Sequence, residues 1–192
     1  MRRGLVGLVS ALAVVSPPAL ALAAPLHASA QPLVSCTVSS AEDFSPGVQT
    51  ASLAQSVSGG LSRPGLSTGP GCTGAPDGIV DAQATLIGSG KATCLADPAL
   101  TTLDLTGTMA ISWNKADGDT AGTSRVSWAA HQVDMGSVVF AGTVTSGLFR
   151  GAAVTVAGLS ANAVTSVTGG CAAGSPLTGV RTTDTYLRLT QA

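Results

Sequence analysis

Leu103-Asp104-Leu105-Thr106-Gly107-Thr108-Met109-Ala110-Ile111-Ser112-Trp113 is the stretch that decides the fold class. Leu103, Leu105, Met109, Ile111 and Trp113 share one parity; Asp104, Thr106, Thr108, Ala110 and Ser112 share the other. A period of two with an apolar and a polar side describes a strand with one buried and one wet face. Gly107 falls on the buried side and marks either a bulge or a close neighbour. Residues 114–123 follow, with Asp117-Gly118 and Gly122 supplying the positive backbone angles a hairpin loop needs. Residues 124–133 return as a strand with Val126, Trp128 and Ala130 in phase. Trp113 and Trp128 flank the loop and are expected close together on the core side.

Working outward, the same alternation predicts strands at 33–39, 49–58, 79–95, 137–146 and 153–157. The strand at 79–95 carries Gly88-Ser89-Gly90, where a bulge or bend is expected. A last strand has Thr183, Thr185, Leu187 and Leu189 on one side and Asp184, Tyr186, Arg188 and Thr190 on the other. Gly147-Leu148-Phe149-Arg150-Gly151 reads as a tight connection, and 59–78 as a long loop rich in Gly, Pro and Ser. Glycine and proline recur every few residues and no 3.6-residue period is found, so no helix is expected. The expected fold is all-β: a disulfide-stabilised antiparallel β-sandwich, immunoglobulin-like or Greek-key, with about eight to nine strands.

The N-terminus reads as an export signal. Met1-Arg2-Arg3 is a positive start, 4–15 and 19–24 are apolar, and Ala28-Ser29-Ala30 is a small-residue end. Pro17-Pro18 interrupts the apolar run, which is too short to span a bilayer. Residues 1–30 are therefore expected to be a secretory signal peptide, with a mature start near Ala24 or Gln31. Residues 31–192 make one domain with no transmembrane segment. Leu33-Val34-Ser35-Cys36 also has the local form of a lipoprotein box, so the alternative to a secreted protein is one lipid-anchored at Cys36.

Without the leader, five Arg and two Lys stand against ten acids, a formal charge of about −3. No basic patch stands out, which argues against nucleic acid as a partner. Cys36, Cys72, Cys94 and Cys171 are the only cysteines. In an exported chain an even count reads as two disulfides, with three possible pairings. Cys36–Cys94 and Cys72–Cys171 are favoured, because the first two lie in expected strands and the others follow glycine in loops.

Sites for chemistry are sparse. His131 is the one histidine after the leader, beside Asp134, and no serine sits in a Gly-x-Ser-x-Gly elbow. It is read as a solvent-facing strand histidine. Asn114, Asp117 and Asp119, and Asp77 and Asp81 around Gly78, do not match a calcium loop and are read as turn chemistry. Glu42, the only glutamate, adjoins Asp43, and no carboxylate pair for glycoside hydrolysis is evident. Trp113, Trp128 and Phe140 are read as core, and Tyr186 as exposed. Thr106, Thr108, Ser112, Thr143, Thr145, Thr155, Thr182 and Thr190 are expected to form hydroxyl-rich outer faces. No catalytic residue, cofactor or metal is expected.

Several segments carry a resemblance. They are Phe44-Ser45-Pro46-Gly47, the stretch ending Ala92-Thr93-Cys94-Leu95, residues 107–113, and Gly142-Thr143-Val144-Thr145-Ser146-Gly147-Leu148-Phe149-Arg150-Gly151. Cys171 and the Thr-rich last strand complete the set. On these the chain resembles a group of small exported actinobacterial β-rich proteins of unknown function. The resemblance implies a secreted β domain and brings no catalytic residue or ligand. Enediyne-carrying apoproteins and secreted subtilisin inhibitors share the general class. No motif matches the former, and Ser62-Arg63-Pro64 makes a poor protease-facing bond for the latter.

The expected role is a non-catalytic extracellular or cell-envelope binding or structural module, whose partner is a cell-envelope polymer or an extracellular protein. Recognition is expected in the loops at 59–78 and 147–151. The alternatives are a carrier with an apolar cavity near Trp113 and Trp128, a secreted hydrolase, or a protease inhibitor.

Overall fold

The computed structural model describes residues 32–63, 71–76, 78–94, 100–134, 139–158 and 174–191. They form nine strands: β1 (Pro32–Val48), β2 (Leu53–Ser62), β3 (Cys72–Thr73), β4 (Ile79–Cys94), β5 (Leu100–Lys115), β6 (Thr120–Asp134), β7 (Val139–Gly147), β8 (Ala153–Gly158) and β9 (Leu177–Thr190). No helix of the described residues is long and apolar enough to cross a membrane.

All neighbours are antiparallel, in the order β2-β4-β5-β6-β7-β8-β9-β1, and β1 also pairs with β2. The last pairing closes the sheet into an eight-stranded up-and-down barrel, in which each of these eight strands is paired on both sides. Register partners followed round the ring from Phe44 pass Val57, Gly88, Gly107, Trp128, Gly142, Val154 and Leu189. They return to β1 at Val34, ten residues from the start. Such a stagger goes with strands tilted about 40° to the axis. The expected two-sheet sandwich is therefore corrected to one closed sheet. Alternation looks the same in both architectures. Closure depends on β1, which is long enough to hold β9 along one edge and both β2 and β3 along the other.

Alternation places the core. Val34, Cys36, Val38, Ser40, Glu42 and Phe44 point inward from β1, as do Leu103, Leu105, Met109, Ile111 and Trp113 from β5. The outer wall carries Ser58, Lys91, Asp104, Thr106, Thr108, Arg125, Thr143, Thr155 and Arg188. Apolar inside and polar outside is the reverse of a lipid-facing barrel.

Gly88-Ser89-Gly90 does not bulge, and β4 pairs through it without a register shift on either side. The glycines admit a neighbour instead. A Cβ on Gly88 would lie 2.5 Å from Trp128 Cζ2, and one on Gly107 2.6 Å from the same atom. The Trp128 ring lies across both positions. Trp113 and Trp128 are both core, as expected, but each packs edge-on against a different ring. Trp113 meets Phe149 and Trp128 meets Phe140, both at 5.1 Å.

Cys36 is bonded to Cys72, which corrects the expected Cys36–Cys94 and Cys72–Cys171 pairs. The physical reason is β3, whose pairing sets Cys72 directly opposite Cys36, with Cα atoms 3.9 Å apart. Strand membership at Cys36 and Cys94 was no guide, because the two sit at opposite ends of the barrel. Cys94, at the far end of β4, is also disulfide-bonded; Cys171 lies outside the described residues.

Candidate functional site inside the barrel

The strongest site is a polar cluster in the barrel interior, on the adjoining strands β1 and β9. Glu42 follows the inward phase of β1 and is only 2% exposed. Ser40, two residues earlier on the same face, donates to Glu42 Oε2 at 3.3 Å. The Ser40 hydroxyl lies 2.6 Å from that of Thr182, which in turn meets Thr185. Each hydroxyl has one proton. With Ser40 donating to the carboxyl, Thr182 donates to Ser40 and Thr185 to Thr182, a row aimed at Glu42.

A bulge builds that row. Val38 pairs with Thr185 and Ser40 with Thr182, so β9 holds one residue more than β1 across this interval. The extra residue turns both Thr182 and Thr185 inward, whereas strict alternation would send Thr182 to solvent. The expectation of an exposed Thr182 is thereby corrected; Thr183 faces out instead.

Glu42 Oε1 has no hydrogen-bond partner and is fully buried. Burial pushes the Glu42 carboxyl up to about 7; the Ser40 hydrogen bond and the Arg181 charge pull it down, and Asp43 adds a small rise. A buried polar atom left unpaired costs one to several kcal/mol, roughly, so folds seldom keep one without a use. Gln55 shows the usual solution nearby. Its side chain is equally buried, but Oε1 accepts from Gly47 N and Nε2 donates to Gly47 O, both at 3.0 Å. Beside Glu42, β2 presents Gly59, a point on the inner wall without a side chain.

The two adjacent acids separate. Glu42 faces in, while Asp43 faces out and pairs with Arg181 at 2.7 Å. Arg181 also donates to the Glu42 carbonyl at 2.9 Å, pinning the outer side of the same wall. The two carboxyls thus do not face one cleft.

Other residues singled out from sequence fall as follows. Asp117 Oδ1 accepts from Asp119 N at 3.0 Å, the turn chemistry expected of the 114–123 loop. Among the described residues no cluster of three potential metal ligands occurs. The backbone of His131 and Asp134 lies in β6; their side chains, Asp77 and the stretches 64–70 and 159–173 lie outside the described residues. Part of the expected 59–78 loop is strand, in β2 and β3. The 147–151 turn is tight as expected, with positive φ at Gly147, Phe149 and Gly151, and it borders an open hollow of about 340 Å³ with Leu33 and Gln191. Tyr186 is exposed, as expected, at 52%. Ile87, 63% exposed, sits in an outer groove of about 320 Å³ with Thr85, Thr108, Arg125 and Thr145.

The strand expected at 33–39 stops three residues short of Glu42 and leaves it outside. The signal was present: Val34, Cys36, Val38, Ser40, Glu42 and Phe44 keep one parity, so extending β1 past Ser39 puts the lone glutamate inside. The site defines a closed meander barrel with an acid in its core. Comparison with protein-family models, with curated proteins and with solved structures finds no match.

Proposed function

We propose that this chain is an exported, non-catalytic binding protein that takes a small molecule inside its barrel at Glu42. The observation that carries the reading is the unpartnered Oε1 of a carboxyl only 2% exposed. Eight-stranded barrels are of a size to hold one small ligand, and a few polar groups in an apolar lining are what orient one. The Cys36–Cys72 disulfide and the leader-like N-terminus support an oxidising, extracellular setting. The divergence of Glu42 and Asp43 supports binding over hydrolysis. A buried acid shifts the carrier reading from a purely apolar cargo to one with a polar group.

A second reading, adhesion to a cell-envelope polymer or an extracellular protein, is favoured by one feature: the exposed Ile87 among hydroxyls beside Arg125.

The test is a thermal-shift panel of small alcohols, amides, amines and aromatic hydrocarbons on the secreted protein and its Glu42→Gln variant. At least one compound should raise the Tm of the parent by several degrees and that of the variant by much less. A panel without any Glu42-dependent stabilisation refutes the reading.

A further inference from the structure

Among the described residues, two buried side-chain polar atoms have no hydrogen-bond partner: Glu42 Oε1 and Trp128 Nε1. One is an acceptor of the carboxylate and the other an obligate donor. Both belong to the barrel interior, and the register puts them in neighbouring rows. Glu42 shares its row with Gly59, Leu86, Met109 and Val126. Trp128 shares the next with Gly107, Gly88, Val57 and Phe44.

The indole closes part of the interval between β6 and β1. Its six-membered ring lies over Gly107 and Gly88, so it reaches from β6 to β4, the strand beside β2. On β2, Gly59 is the register partner of Glu42 and puts no side chain between them. The fold satisfies its other indole without difficulty: Trp113 Nε1 donates to Ser124 Oγ at 2.8 Å. The unpaired donor at Trp128 is therefore a local feature, on the wall across the barrel from the strand that carries the unpaired acceptor.

We propose that Trp128 Nε1 and Glu42 Oε1 are the two polar contacts of one interior site, and that its ligand is a small neutral amide on an apolar body. This rests on the reading of Glu42 as a binding group and names the ligand class. An amide carbonyl accepts from the indole N–H, and the amide N–H donates to the carboxylate. Leu86, Met109 and Val57 offer the apolar body its contacts. Above about pH 7, where Glu42 holds its charge, a carboxylate ligand meets it as a like charge, and a hydrocarbon leaves both atoms unpaired at any pH.

The experiment titrates benzamide, benzoate, benzyl alcohol and toluene into ¹⁵N-labelled protein and follows the two indole N–H signals. Benzamide should move the Trp128 signal and leave that of Trp113, already held by Ser124, in place. Benzoate and toluene should move neither. Trp128→Phe and Glu42→Gln should each weaken benzamide binding at least fivefold. Should Glu42→Gln fail to fold, the parent and Trp128→Phe still decide the matter. If toluene or benzyl alcohol binds as well as benzamide, or benzamide binding survives Trp128→Phe, the amide class is wrong. The Glu42 reading then stands wherever the bound compound still depends on Glu42. If no probe moves Trp128 and the wider panel shows no Glu42-dependent binder, both readings fall, and internal water alone satisfies the two atoms.

Discussion

The two tryptophans of this barrel occupy matching positions on the inner wall and meet opposite fates. Trp113 lies near the β5–β6 hairpin. It is fully buried, donates to Ser124 and packs against Phe149 from the β7–β8 turn. Every polar atom of its side chain is used to close that end. Trp128, deeper along β6, is 3% exposed, lies on a shelf of glycines and donates to nothing. The difference teaches that burial by itself does not tell structural from functional aromatic residues. What separates them is whether the polar atom is satisfied from within the fold.

The sharpest way to break the comparison is to remove the shelf. A valine at Gly107 would drive its Cβ to within 2.6 Å of Trp128 Cζ2 and 2.1 Å of the Ile87 carbonyl. Overpacking against backbone leaves no cheap relaxation, so Gly107→Val should cost about 3 kcal/mol or more, read as a fall in the urea midpoint. A midpoint within error of the parent would show that both the β4 backbone at Ile87 and the indole give way at little cost.

Next in size is the pH dependence of the buried acid. Glu42 has a folded pKa of about 7 against an ordinary value of 4.5. A raised carboxyl contributes no penalty below about pH 4.5, where both states are protonated. The penalty grows between about pH 4.5 and pH 7, where the unfolded state has lost its proton and the folded state keeps it, and levels off above about 7. Stability should thus fall by about 3 kcal/mol between pH 4.5 and pH 7.5, and Glu42→Gln should flatten that slope. A parent profile without the fall would show that the carboxyl is well solvated inside the barrel.

The tryptophans themselves give a finer contrast. Replacing either by Phe loses ring area. Trp113→Phe also strips Ser124 of its donor, whereas Trp128→Phe removes an atom that had no partner. Trp113→Phe should therefore be the more destabilising, by about 1 kcal/mol in chemical denaturation. Equal losses would mean that Trp128 Nε1 is satisfied after all. Smallest of all is the outer face of the same wall. Asp43 and Arg181 are both more than half exposed, so Asp43→Ala should change stability by less than about 0.5 kcal/mol and leave the Glu42 profile almost unmoved.

Much of the architecture was legible from residue types. Strands at 103–113, 124–133 and 153–157, the 147–151 turn, the buried tryptophans and the exposed Tyr186 all follow from alternation and glycine placement. The candidate site was half legible. Glu42 stands in phase with Val34 and Val38, yet Asp43-Phe44-Ser45-Pro46-Gly47 looks like a turn, and the strand was expected to stop at Ser39. Thr182 was not legible, because a bulge inverts parity and nothing in Thr182-Thr183-Asp184-Thr185 marks where the extra residue goes.

The sequence by itself determined that this protein is all β, that one face of each strand is apolar, and that its cysteines suit an oxidising compartment. Those properties are local, set by alternation and composition. Only the tertiary structure decided that the sheet closes on itself, that Cys36 meets Cys72, and that Glu42 and Trp128 share an interior with one polar atom each unpaired. Those are relations between strands far apart in the chain. They depend on register, and a shift of one residue would send either side chain to the opposite face.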